Sequence, residues 1–142
     1  MIKSIRLILL LLLITSCNSK ENNTIGITQN QEPLELNSSI KRGQLIYEDM
    51  CITCHLADGK GVHKVFPPLA DSDYLRKNQN ESIKGVKKGM SGKITVNGET
   101  YNNVMTPLGL SNEEVADVLN YINNSWGNNI KNFVTPKKVS EL

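Results

Sequence analysis

The chain is short of the residues that usually fill a protein interior. Only 5% of its 142 residues are aromatic, with one tryptophan and two phenylalanines. That is thin for an unaided core in one small domain of this length. Cysteine is scarce too: there are three, too few for a disulfide framework. A dominant charge is missing. Sixteen lysines and arginines face fourteen acids. Two of the bases, Lys3 and Arg6, fall in the leader described below, so the remainder is balanced. No polybasic field is left to suggest nucleic acid. Long apolar runs are absent: the longest, Leu7 to Ile14, has eight residues, far below the roughly 20 that a spanning helix needs. No internal repeat is visible.

What is present is concentrated in Cys51-Ile52-Thr53-Cys54-His55. Cys-x-x-Cys-His is the attachment pattern of a c-type haem. Two thiols three positions apart each form a thioether to one edge of the ring, and the histidine lies beneath the iron, ready to give it an imidazole nitrogen. One covalent haem c would also supply the apolar bulk that the composition lacks. Two blander readings are weaker. A redox dithiol usually sits in a thioredoxin-like βαβ unit, which this chain does not show. A zinc site needs a fourth ligand, and His63 is the only other histidine.

An iron built for outer-sphere electron transfer takes two axial ligands. His55 is the first. Of the four methionines, Met1 lies in the leader and Met50 adjoins the attachment site, too close to reach the opposite face. Met90 and Met105 remain as candidates for the second. His63, near His55 in sequence, reads as a surface or haem-edge residue. Lys84, Lys87 and Lys88 read as a solvated face before they read as a docking patch.

Residues 1–17 read as an export leader: Lys3 and Arg6 precede the apolar run. The ending Ile14-Thr15-Ser16-Cys17 resembles a bacterial lipobox, in which the cysteine is lipidated and becomes the new N-terminus. Residues 18–37 are polar and read as a flexible tether, with a mean reach of roughly 25 Å and a limit near 70 Å. The folded domain is expected over 38–128, opening on a helix capped by Ser38 or Ser39 with Ile40, Gln44, Tyr47 and Cys51 on one face. Short helices are expected over Asp71–Asn78 and Glu81–Lys88. A two-residue hairpin is expected at Ile94–Tyr101, turning on Asn97-Gly98. A helix opened by the capping box Ser111-Asn112-Glu113-Glu114 should run to about Trp126, and residues 129–142 should form a tail.

These motifs together resemble the class I cytochromes c. The stretch Tyr101 to Leu108, containing Met105-Thr106-Pro107, with the helix after Ser111, is similar to that family's methionine-ligand loop and final helix. The family more often has proline directly after the methionine; here Thr106 intervenes. Gly43 and Tyr47 resemble the small and aromatic pair that crosses the last helix, and Val118 and Tyr121 the residues they meet. Phe66-Pro67-Pro68-Leu69 resembles the loop whose proline carbonyl accepts a hydrogen bond from the proximal histidine.

The resemblance implies an all-α class I fold of three to five helices around one haem, with a short hairpin before the methionine loop. It implies Met105 as the second ligand, Pro67 as the acceptor of the His55 hydrogen bond, and Leu69 packed on the ring. The ending Ser125-Trp126-Gly127-Asn128 looks like cytochrome domains attached to periplasmic quinoprotein dehydrogenases and copper nitrite reductases.

The expected function is one-electron transfer by a monomeric, lipid-anchored carrier on the periplasmic side of a bacterial membrane, without catalysis of its own. Its donors would be a periplasmic dehydrogenase or a quinol-oxidising complex. Its acceptors would be a terminal oxidase or reductase. The alternatives are a five-coordinate gas sensor or weak peroxidase, and a dedicated subunit of one dehydrogenase or reductase. The anchor has a direct test: Cys17→Ser should move the protein from the membrane to the soluble fraction, and a variant that stays membrane-bound would disprove lipidation.

Overall fold

The computed structural model describes residues 31–142. Cys17, the leader and the tether up to residue 30 lie outside them. Six helices and one hairpin follow in order: α1 (Gln31–Met50), α2 (Ile52–His55), α3 (Asp73–Lys77), α4 (Gln79–Lys88), β1 (Ile94–Val96), β2 (Glu99–Tyr101), α5 (Asn112–Asn123) and α6 (Pro136–Ser140). The helix count among the described residues exceeds the expected three to five because three of the six are single turns of four or five residues.

Helix α1 already covers residues 31–37, ahead of Ser38 and Ser39, so these residues belong to a helix and not to a tether. The two serines serve other ends. Ser38 Oγ donates back to Leu34 O, and Ser39 Oγ, buried, donates to Asp117 Oδ1 at 2.6 Å. The buried face of α1 is also rotated from the expected one. Ser39, Gly43 and Tyr47 are buried, while Gln44 is exposed.

Helix α5 explains that rotation. A Cβ on Gly43 would overlap Asp117 O and sit 2.9 Å from Tyr121 Cβ, so α1 crosses α5 at backbone contact. Asp117, buried at the crossing, accepts from Ser39 Oγ and from two Arg42 nitrogens at 2.6 and 2.8 Å. Three donors on one carboxylate compensate its loss of water, and the ion pair raises the Arg42 pKa above its ordinary value.

Helix α5 starts as expected. Ser111 N donates to Glu114 Oε2 at 2.8 Å, and Glu114 N donates to Ser111 Oγ at 3.3 Å. It ends at Asn123, three residues short of Trp126, which takes a positive φ of 48° ahead of Gly127. The hairpin pairs Ile94 with Tyr101 and Val96 with Glu99. Asn97 and Gly98, at φ 51° and 84°, supply the two left-handed residues of a type I′ turn. Asn97 and Asp73 exchange two hydrogen bonds that pin the turn to the start of α3.

Residues 129–142 are not a tail. Val134 and the α6 residue Val139 are buried with Ile83, Val115, Ala116 and Leu119. Buried Asn120 grips the strand-like approach to α6 from both sides: its Nδ2 donates to Val134 O and its Oδ1 accepts from Val134 N, both at 2.9 Å. The second cluster, Tyr47, Cys51, Leu75, Val118 and Ile122, adjoins the first along α5, and Val86 and Leu110 pack against both. Val139→Ala should lower unfolding free energy by about 2 kcal/mol in a denaturant titration; no change would mean that α6 is not part of the core.

Candidate functional site

The last turn of α1 delivers Cys51, whose amide donates to Tyr47 O at 2.9 Å. The single turn of α2 follows and closes with His55 N donating to Cys51 O at 2.9 Å. Helical spacing of three puts Cys51 and Cys54 on one side. The two cysteines form no disulfide. Burial, followed by the neighbouring Cys54, pushes the Cys51 thiol up to about 11.

His55 Nδ1 donates to Pro67 O at 3.0 Å. A carbonyl can only accept, so the proton resides on Nδ1 and the Nε2 lone pair is left free. Burial lowers the His55 pKa, with the Pro67 bond opposing part of the shift. The ring is therefore kept neutral, as a metal ligand must be. The Pro67 carbonyl is held by a close approach. Gly61 N donates to His55 O at 3.0 Å, and a Cβ on Gly61 would overlap Phe66 O and lie 2.7 Å from Pro67 O.

His55 opens onto an apolar cavity enclosing about 660 Å³, part of it open to solvent, lined among others by Cys51, Leu69, Leu75, Met90, Met105 and Ile122. An adjoining space of about 520 Å³ shares His55, Pro67, Met90, Ile94 and Met105 and adds Cys54, Val65, Tyr101 and Val104. The candidates Cys51, Cys54, His55, Pro67, Leu69 and Met105 are thus gathered around one slot. Met90 and Met105 are joined there by reciprocal backbone hydrogen bonds of 2.8 and 2.9 Å.

Other candidates stand apart. His63 is exposed on the turn closed by Val62 and Phe66 and lines neither space. Lys84 pairs with Glu81, Lys87 donates to Val139 O, and Lys88 donates to Leu142 O. Lys87 and Lys88 knit α4 to the C-terminal segment, while Lys84 pairs within α4, so no docking patch is drawn from them.

The sequence assigns no role at the site to two contributors, although Asn128 lies in the Ser125–Asn128 motif. Asn128, buried, donates to Leu69 O and Ile122 O and accepts from Ser72 N, tying the histidine-side loop to α5 and α3. Gly89 leaves room for the methionine loop: a Cβ there would sit 2.7 Å from Met105 O and 2.8 Å from Pro107 Cδ.

The donor set suits a haem and not a bare cation. A neutral imidazole and two thioethers face an apolar slot with two thiols at its edge. Among the described residues no three His, Cys, Asp or Glu side chains converge.

Comparison with known proteins agrees. Residues 40–126 match the cytochrome c family model, and the chain belongs to the cytochrome c family. It is therefore a haem-binding electron-transfer protein carrying covalent haem c. It is 37% identical over 109 residues to a cytochrome c-552 of Thermus thermophilus, covering 70% of this chain and 82% of that one. It is 31% identical over 103 residues to the cytochrome c subunit of a quinone alcohol dehydrogenase from Gluconobacter oxydans strain 621H, covering 70% of this chain but 21% of that one. It is 31% identical over 109 residues to the cytochrome c subunit of a gluconate 2-dehydrogenase from Pantoea cypripedii, covering 23% of it.

Gly61→Ala should displace the Pro67 carbonyl and weaken its bond to His55. A less basic imidazole stabilises ferric iron less, so the reduction potential should rise by roughly 20–60 mV. Equilibrium redox titration against the unaltered protein measures this; an unchanged or lower potential would contradict it.

Proposed function

We propose that this chain is a periplasmic one-electron carrier, tethered to a bacterial membrane through lipidated Cys17, in which His55 and Met105 hold the haem iron from opposite sides. The observation that carries the reading is the single apolar cavity shared by Cys51, His55 and Met105. The polar segment from residue 18 up to the start of α1 is the tether, and the protein works as a monomer without catalysis of its own.

When bound, haem supplies the iron that alternates between its ferrous and ferric states. The protein residues set the conditions. Cys51 and Cys54 anchor the ring. Pro67 O fixes the His55 ring plane and raises its basicity. Leu69, Leu75, Val118 and Ile122 keep water from the iron. The thioether–imidazole pair favours a high potential, which suits the oxidising end of a respiratory chain. No histidine other than exposed His63 is available as the distal acid–base group that peroxidase chemistry requires.

Partners are redox proteins that dock briefly over a small area. The names of the similar subunits support a dehydrogenase as donor; a periplasmic dehydrogenase or a quinol-oxidising complex is the proposed source. A terminal oxidase or reductase would accept the electron. Among the described residues no helix is long and apolar enough to cross a membrane.

Optical spectra of the oxidised and reduced holoprotein test the iron site. The methionine-to-ferric charge-transfer band should be present, and the reduced protein should resist carbon monoxide. A high-spin spectrum with ready carbon monoxide binding would replace the carrier by a gas- or peroxide-binding protein.

A further inference from the structure

We propose that Met90 is a second thioether ligand of this site, held in reserve beside Met105. The inference rests on the reading of Met105 as the resident ligand. Its basis is the reciprocal pair of backbone hydrogen bonds: Met90 N donates to Met105 O at 2.8 Å and Met105 N to Met90 O at 2.9 Å. Residues paired in this way are directly opposed across an antiparallel bridge, with Cα atoms about 5.5 Å apart, and project their side chains to the same face. Both methionines line both parts of the cavity together with His55. The two thioethers thus enter one space from neighbouring anchor points.

The position of the Met90 side chain shows what keeps it off the iron. Its methyl rests against α4 at Gly85, where a Cβ would come 3.0 Å from Cε and 4.0 Å from Sδ. A glycine inside a helix is less favourable than alanine, and here it leaves the space that the Met90 methyl uses. Methionine has three rotatable side-chain bonds and a polarizable sulfur, so Sδ can swing toward the cavity centre while the paired backbone stays still. Leucine would make the same wall and offer no lone pair. No other described residue competes: Met50 sits exposed at the end of α1, and His63 is exposed outside the cavity.

The test compares four holoproteins: the unaltered chain, Met90→Leu, Met105→Ala and the double variant. Each is read by the charge-transfer band of the ferric form and by carbon monoxide affinity of the ferrous form. Met90→Leu should leave the band in place. Met105→Ala should keep a thioether band and bind carbon monoxide at least roughly tenfold more weakly than the double variant, as expected if Met90 holds the iron nine-tenths of the time or more. The double variant should lose the band.

Loss of the band in Met105→Ala, with carbon monoxide affinity equal to that of the double variant, would overturn the proposal and leave Met105 as sole ligand. Loss of the band in Met90→Leu alone would overturn both the proposal and the assignment of Met105. Met105→Leu, which keeps the side-chain volume, replaces the alanine variant in the same comparison should that variant not accumulate.

Discussion

At Gly43 the backbone of α1 comes so near to that of α5 that one methyl group would overlap Asp117 O. The rest of the molecule is arranged around this crossing. Four residues along α1, Tyr47 reaches the second core cluster, and four further on Cys51 enters the cavity. Across the crossing, α5 gives Val118, Leu119 and Ile122 to the cavity wall. A wider separation of the helices would move the attachment cysteines away from the wall that faces them. The carboxylate of Asp117 locks the arrangement, because three donors from α1 converge on it and leave no buried acceptor unpaired.

An aromatic triad extends the crossing toward the haem attachment loop. The rings of Tyr47, Tyr121 and Trp126 are 4.8 to 5.5 Å apart in tilted and edge-on contacts, the geometry that aromatic quadrupoles favour. Tyr47 Oη then donates to Leu56 O at 2.7 Å, one residue past His55. Three of the chain's seven aromatic residues thus sit at the joint between the helix crossing and the haem loop. The two sides of the cavity repeat one device. On the histidine side Gly61 leaves room for the Pro67 carbonyl; on the methionine side Gly89 leaves room for Met105 O and Pro107.

Local signals were readable where neighbouring residues suffice. The Ser111–Glu114 capping box and the Asn97-Gly98 turn each act within four residues, and each is found where its chemistry put it. The start of α1 was not readable, because Gln31 to Asn37 is polar and Ser38 and Ser39 imitate a cap. Their hydroxyls instead bond Leu34 O and Asp117, and only the second helix reveals that. Val134 and Val139 carry neither helical nor strand periodicity. They are buried because Asn120 captures the Val134 backbone, a contact that composition does not announce.

The sequence by itself determined the chemistry: two thiols and an imidazole within five residues define covalent haem attachment, since that reaction needs only one helical turn of chain. It also left Met90 and Met105 as the two methionines that could supply a second ligand. The tertiary structure decided how those residues face one another. It brought Pro67 O to His55, paired Met90 with Met105 on the cavity that His55 lines, and drew the last residues into the core. Such contacts join parts of the chain far apart in sequence. They form only when packing against α5 compensates the entropy of closing the intervening loops, and that balance belongs to the whole fold and not to any local motif.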